Sequence, residues 1–497
     1  MLTRRLRNAA LKCALIALSA SAAAADGPFV QPVRGDRWQD ELLPPRLSGP
    51  FTAHRHEMVQ LAAAAAEDDA EPGSLDELFG SDKAKAPQAA VEKGFGGVRG
   101  YVQTEVARTI ASPVHWSKLL TRADLGAEGR FSPSVKWKAE VRLDYDAVYD
   151  LTDFYPDRVR RDQRVNILAR ENYLDIDAGG DWDFRIGRQH VVWGEMVGLF
   201  FADVVSAKDL REFVLPDFDV LRIPQWAARA EYSKNDWHAE LVWIPVPSYD
   251  EIGKPGAEFY PFVPPTPAGY QVRIADELRP NRSLQNTNYG ARLSTLRNGW
   301  DVSAFYYRSM DASPTFYREV VLAPEPTYVY QARHDRIQQW GATIAKDFGA
   351  FVLKSEGVYT RGRRYDVLRP KDPDLVQKPT LDWAVGLDFS LPADTRLNLQ
   401  AFQRVFFEHE REMIPDRYEN GYSVLLNRRF TEHLEAQALW IASFNRNDWI
   451  FRPRVMWTFQ KNWRWAVGMD VFNGPPTGFA GRFDNRDRAY TELRYSF

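Results

Sequence analysis

The chain reads as an all-β protein, a transmembrane antiparallel β-barrel of about 18 strands, with one connection folded inward and a short, partly helical N-terminal extension. Three observations predict it. From Gly97 to Phe497, apolar and polar residues alternate with period two, so each short segment has one greasy face and one wet face. The connections between segments are tight, then long, then tight again, which describes hairpins with two unlike ends. The last segment runs to an aromatic close, Tyr495-Ser496-Phe497.

The first element is a secretory signal over residues 1–25. Arg4, Arg5, Arg7 and Lys12 form its positive region, Ala14 to Ala20 its apolar core and Ala22 to Ala25 its small-residue cleavage zone, with the cut at Ala25–Asp26. The apolar run is too short to span a bilayer as a helix. Cys13 is the only cysteine, so the processed chain has no thiol to mispair in an oxidising periplasm. Loss of the four basic residues leaves 60 basic against 67 acidic side chains, a net −7 that does not suggest nucleic acid binding. No later stretch is long and apolar enough for a membrane helix, yet the chain holds 16 Trp, 21 Tyr and 29 Phe. In a membrane barrel such aromatics face lipid and form interfacial girdles.

Residues 26–96 form a second region, read as a periplasmic or lumenal extension. It carries Pro44-Pro45, an alanine tract from Ala62 to Ala66 and an acidic cluster from Glu67 to Asp69. Ser74 followed by Glu77 is a capping-box pattern, so this region is expected to be partly helical and partly disordered.

Residues 97–497 form the barrel. Val135 to Tyr149 is its clearest segment, with Val135, Trp137, Val141, Leu143, Tyr145, Ala147 and Tyr149 on one face. Lys138, Glu140, Arg142 and Asp144 lie on the other, and a Lys or Arg at mid-membrane costs about 2–4 kcal/mol, so that face must meet water. Leu381 to Leu391 repeats the pattern, with Asp382 and Asp388 inward. Trp449 to Phe459 does so with Arg452 and Arg454 inward, and Trp463 to Val471 with Arg464 and Asp470. Arg170 and Asn172 break the alternation of their segment.

Tight turns are expected at 132–134, 179–181, 234–236, 297–299, 347–350, 392–394, 430–433 and 460–462. Long connections fall at 193–222, 245–283, 310–335, 362–379 and 473–486, and the third of these has room for strand extensions. Tight turns ordinarily face the periplasm and long loops the outside. The prolines from Pro245 to Pro280 predict a stiff, irregular rim and no strand.

The segment 193–224 stands apart. Met196 to Phe201 is strongly apolar for an external loop, and Val204, Ala207, Leu210 and Phe213 recur at helical spacing. It cannot be a spanning strand without moving every later turn to the wrong side. It is therefore expected to fold into the lumen as a constriction, with Trp193, Glu195, Leu199, Phe200, Phe201, Asp203 and Asp209 as gate residues. Leu199, Phe200 and Phe201 on the lumen side would suit apolar or amphipathic cargo. Packing against the wall to stiffen the barrel is the plainer use of the same residues.

Arg185-Ile186-Gly187-Arg188-Gln189 followed by Val191-Val192-Trp193-Gly194-Glu195 resembles the signature of a large family of Gram-negative outer-membrane barrels known only as a domain of unknown function, similar in style to alginate-export barrels. Asp203, Asp209-Leu210, Leu215-Pro216 and Ile223-Pro224 fit the same pattern. So does the tail from Phe479 to Arg488, and Leu493 to Phe497 looks like a barrel assembly signal. The resemblance covers 97–497, while the extension before it departs from the pattern. It implies work with periplasmic partners and inner-membrane exporters of the RND type, moving lipid-like molecules.

Inward charges of both signs are expected to line the lumen: Arg142, Arg185, Arg229, Arg396, Arg404, Arg452 and Arg454 beside Asp382 and Asp388, with Glu231 and Glu240 among other inward acids. Cross-strand pairing is their ordinary use. The basic runs Arg158 to Arg164 and Arg361 to Arg364 suit lipopolysaccharide phosphates. None of the eight histidines lies in a catalytic motif, no phosphate-binding glycine loop is present, and no cofactor or metal is assigned. The expected role is an outer-membrane channel gated by 193–224. The alternatives are a general diffusion porin for small polar solutes, or a structural barrel that binds lipopolysaccharide or a partner lipoprotein.

Overall fold

The computed structural model describes residues 95–497 apart from 195, 197–200, 263–268, 323 and 368–374. The signal and extension readings, and the gate residues Glu195, Leu199 and Phe200, lie outside the described residues.

Eighteen strands close into one antiparallel barrel. They are β1 Phe95–Thr109, β2 Trp116–Ser132, β3 Val135–Asp146, β4 Val165–Asp177, β5 Trp182–Gln189 and β6 Gln225–Lys234. Next come β7 Trp237–Val246, β8 Asn288–Arg297, β9 Trp300–Met310, β10 Arg336–Asp347, β11 Val352–Arg361 and β12 Thr380–Leu391. The last six are β13 Thr395–Phe406, β14 Tyr418–Thr431, β15 Leu434–Ser443, β16 Trp449–Gln460, β17 Trp463–Asn473 and β18 Arg488–Ser496. Closure is by β1 against β18, in register from Tyr101↔Ser496 to Thr109↔Arg488. No edge is left open for pairing with another chain.

All eight expected tight turns are present, and they share one end. Asn298 and Gly299 show why they turn there: both have positive φ (56° and 75°), the two-residue geometry that matches strand twist. The outer face exposes the expected side chains, Leu143, Tyr145, Val455, Trp457, Trp465 and Val467 among them. Inside, Arg142, Asp144, Asp382, Arg454 and Asp470 are buried. No helix among the described residues is long and apolar enough to cross a membrane.

Local expectations change at the end of β3 and in two long connections, and one break of alternation finds its cause. The β3 alternation stops at Asp146, because its carboxylate accepts the amides of Leu119 (2.8 Å) and Val148 (3.1 Å) and ends the strand in a turn. Ala147 and Tyr149 thus leave the outer face, and Tyr149 packs with Tyr155 and Val159 in the loop above. The break at Arg170 and Asn172 is a β-bulge: Ala139 pairs Asn172 and Val141 pairs Ala169, so two residues of β4 oppose Glu140. The proline-rich connection does hold a strand, Gln271–Leu278, in its proline-free stretch. That strand joins Thr327–Arg333 in parallel, which pairs with Thr315–Val321, so the 310–335 connection is a hairpin of its own.

Candidate functional site: the infolded segment and the vestibule

The described residues of the segment 193–224 lie inside the barrel. Met196, Phe201, Leu210, Phe213, Val214, Leu215, Phe218 and Leu221 form one buried cluster with Phe402, Leu439, Ile441, Ile450 and Phe472 from the wall and Phe479 and Phe483 from the last long connection. The wall positions are inward-facing and apolar, against the polar-inside rule for a water-filled barrel. They are the seat for the segment. The expected helix over 203–213 is absent. Ala207–Lys208 instead pairs with Arg222–Ile223, and Asp209 N–H donates to Leu221 O at 2.7 Å. A folded-back hairpin lets the apolar side chains reach walls in several directions, which one helical face would not.

The four expected gate residues that are described, Trp193, Phe201, Asp203 and Asp209, are each held by the wall or by the segment itself. Trp193 is fully buried, donates its indole N–H to Glu240 Oε1 at 3.1 Å and lies against Phe305 and Tyr307. Phe201 packs its ring 6.2 Å from that of Phe402 and is buried. Asp203 pairs with Arg222 at 3.0 Å, and Asp209 with Arg211 at 2.6 Å. Phe201 therefore serves packing, and an apolar lumen surface built from it is not seen.

Several inward wall groups grip the segment's backbone. Arg142 donates to Val220 O at 3.2 Å, Arg170 to Asp219 O at 2.5 Å, and Arg452 to Leu215 O at 2.6 Å and Val214 O at 3.3 Å. Arg454 reaches Asp217 at 3.4 Å. Glu356 accepts the amides of Met196 at 3.4 Å and Ala202 at 3.2 Å. At the centre, Glu212 receives Lys118 at 2.7 Å, and Arg488 stands 3.8 Å away; Lys118 also holds Glu105 at 2.7 Å. Charged pairs out of water are sound only when such further hydrogen bonds satisfy them.

The segment divides the lumen. On one side lies a vestibule of about 2270 Å³ that reaches the tight-turn end, where Asp181, Asp236, Gly299, Asp347 and Lys461 border it. On the other lies a cavity of about 60 Å³ toward the long loops. Lys118, Arg122, Glu212, Pro216, Val220 and Arg488 border both, and so lie between the two. Of the expected lumen-lining residues, Arg396, Arg452, Arg454 and Asp388 border the vestibule. Arg142, Arg185, Arg229, Arg404 and Asp382 do not. Arg404 and Asp382 form a buried ion pair, Arg185 pairs with Asp175 at 3.2 Å, and Arg229 with Glu231 at 2.6 Å. Glu231, His238 and Glu240 bring ligand-type atoms within 4.8 Å of one another on the same wall.

Sequence reasoning did not single out Glu212, Asp217, Val220 or Glu356. Glu212 sits inside the segment that was singled out, but its partner Lys118 is 94 positions away. The signal that could have been read is the inward apolar set Phe402, Leu439, Ile441, Ile450 and Phe472, which a water-filled barrel has no use for.

No curated protein matches this chain. Among solved structures it is similar to OmpT of Vibrio cholerae, in the in-vitro folded trimer form, at 11% identity over 82% of this chain and 100% of that one, with a TM-score of 0.40. A loop L8 deletion mutant of the same protein covers 81% of this chain and 99% of its own, at 11% identity and a TM-score of 0.39. Salmonella typhi OmpF in complex with daunomycin is also 11% identical, over 82% and 98%, with a TM-score of 0.40. The family model described as "Protein of unknown function (DUF1302)" matches residues 117–384, which contain both the Trp193 element and the whole infolded segment. That match spans more than half of the 497 residues, and the chain belongs to the DUF1302 family.

Proposed function

We propose that this protein is a Gram-negative outer-membrane channel, held closed here by the segment 193–224, and that it passes amphipathic molecules. The apolar outer face and charged interior support a membrane setting. The observation that carries the channel reading is the division of the lumen at six residues, with a large vestibule on one side and a small cavity on the other. The vestibule wall mixes charges of both signs in nearly equal number with Met196, Leu215, Pro216 and Val220 from the segment. Such a lining suits a molecule with one polar and one greasy part better than a wholly apolar one. The near balance of charge also favours, as a second reading, weakly selective passage of small polar solutes. Nothing in the lining pattern calls for an enzyme.

The exposure of Arg158 and Arg161 on the short helix Asp157–Gln163 supports, as part of this reading, contact with lipopolysaccharide phosphates. In the second basic run, Arg363 is instead committed to Asp311 at 2.6 Å and 3.0 Å. The open vestibule end is where periplasmic partners would deliver or receive cargo.

Single-channel recording tests the reading. The full chain should show low, fluctuating conductance, and deletion of 195–212 should give a large, steady one. Large ohmic conductance from the intact chain would overturn the gate, and no gain on deletion would remove the segment from that role.

A further inference from the structure

We propose that Glu231, His238 and Glu240 form a site for a divalent transition-metal cation on the vestibule wall, linked to the infolded segment through Trp193. β6 and β7 pair so that Glu231 stands directly opposite Glu240. Both carboxylates point inward, and two like charges facing each other across a ladder destabilise the sheet unless something compensates. His238 lies two residues before Glu240 on the same face of β7, which brings its imidazole to the pair.

Compensation is incomplete. Arg229 takes Oε1 of Glu231 at 2.6 Å. Glu240 is 5% exposed and takes part in no ion pair among the described residues; its one hydrogen bond there is from the neutral indole of Trp193. Arg292 is its register partner on β8. A carboxylate this buried, facing another carboxylate, is a strong demand for a cation. The histidine is set for the same task. Its Nδ1 meets Ser233 Oγ at 2.9 Å, which fixes the ring and leaves Nε2 for a ligand. Glu231 and His238 border the vestibule, so a hydrated ion has a path in.

One imidazole nitrogen and two carboxylates, with water to complete the shell, is a donor set for zinc or a similar first-row ion. The coupling follows from Glu240. With Oε1 held by Trp193, the cation takes Oε2, so the ion and the base of the infolded segment share one carboxylate. Cation affinity and anchoring of the segment then depend on each other reciprocally. The inference does not rest on the channel reading.

The test uses the full chain in detergent micelles with zinc ion as the probe. Zinc should bind and raise the thermal midpoint, and His238→Ala should weaken binding by at least about tenfold. The triple variant E231Q/H238A/E240Q should lose it, although His54 and His56 remain. Trp193→Phe should weaken it about tenfold through the lost hydrogen bond to Glu240. Equal binding by the triple variant, or no binding by the native chain, overturns the site; an unchanged affinity in Trp193→Phe overturns the link. X-ray absorption on the zinc-loaded native chain covers the case in which a variant fails to fold. One imidazole with oxygen neighbours supports the site, and two imidazoles overturn it.

Discussion

The Phe213 ring lies 4.7 Å, centroid to centroid, from that of Phe479. The Phe483 ring stands 4.8 Å from that of Phe213. The middle of the infolded segment is therefore seated on the connection between β17 and β18, and two stretches far apart in the chain are one packing unit. Phe213 holds this place at a positive φ of 58°, a conformation that a bulky residue keeps only when its surroundings enforce it.

Phe213→Ala removes the ring at the hub of that cluster. A buried Phe truncated to Ala costs about 3–5 kcal/mol. The loss should fall on the segment, since the barrel ladder stays intact. Hydrogen exchange of amides in 201–221 should accelerate while those of β12 to β17 keep their protection, and channel open time should rise.

Glu212→Gln tests the constriction. It keeps the shape but takes the negative charge from between Lys118 and Arg488. Leaving such partners unsatisfied costs about 1–3 kcal/mol. Conductance should increase, and Lys118→Met combined with Glu212→Gln should raise it by less than the sum of the single effects, as expected for groups in one network. Conductance equal to that of the native chain in both variants would place the barrier elsewhere.

The barrel was legible because its signal is local. Period two and turn residues sit within a dozen positions of each other, so strand number, all eight turns and the facing of β16 and β17 follow from short windows. The infolded segment was legible as an anomaly, since an apolar external loop has to bury itself. Its conformation was not. Whether 203–213 coils or folds back depends on partners such as Glu356, Arg452 and Phe472, which no local window contains. The same holds for the strand within the proline-rich connection, which gains its order from pairing with Thr327–Arg333.

Gly290→Ala should disturb the anchor of the segment. A Cβ there would stand 2.8 Å from Trp193 Cη2 and 2.6 Å from Tyr306 O. Overpacking of this kind costs about 1–3 kcal/mol. The thermal midpoint should fall, and Trp193→Phe should rescue only part of it, because the backbone clash remains.

The long-loop end has its own pH dependence. Burial would raise the Glu258 carboxyl, but hydrogen bonds from His115 (2.8 Å) and Tyr155 (2.7 Å), with Arg486 at 3.4 Å, hold it below its ordinary value. A carboxyl lowered on folding contributes stability above its unfolded value, and that contribution is lost as pH falls through the folded one. The clamp joining 115, 155 and 258 should thus hold from neutral pH to the ordinary carboxylate range near 4.5 and loosen below it. Hydrogen exchange of amides in 254–260, corrected for the intrinsic pH dependence of exchange, measures this, and Glu258→Gln should lose protection there already at neutral pH.

Asp448 supplies the last prediction, because it organises the seat for Phe213. Its carboxylate accepts the amides of Phe479 (2.5 Å), Ala480 (2.9 Å) and Gly481 (2.8 Å). A Cβ on Gly478 would come within 2.6 Å of that carboxylate, so the bare backbone is what lets the turn close on it. Asp448→Asn puts an amide N–H₂ where an oxygen accepted, facing donors that have no other partner, and each such loss costs about 1–3 kcal/mol. The turn should open, Phe479 and Phe483 should lose their positions, and the infolded segment should loosen although none of its own residues has changed. Hydrogen exchange of 201–221 should accelerate as in Phe213→Ala, and the double variant Asp448→Asn/Phe213→Ala should be no worse than the more severe single one. Additive effects would mean that the segment and the C-terminal connection are independent, and the packing unit would be wrong.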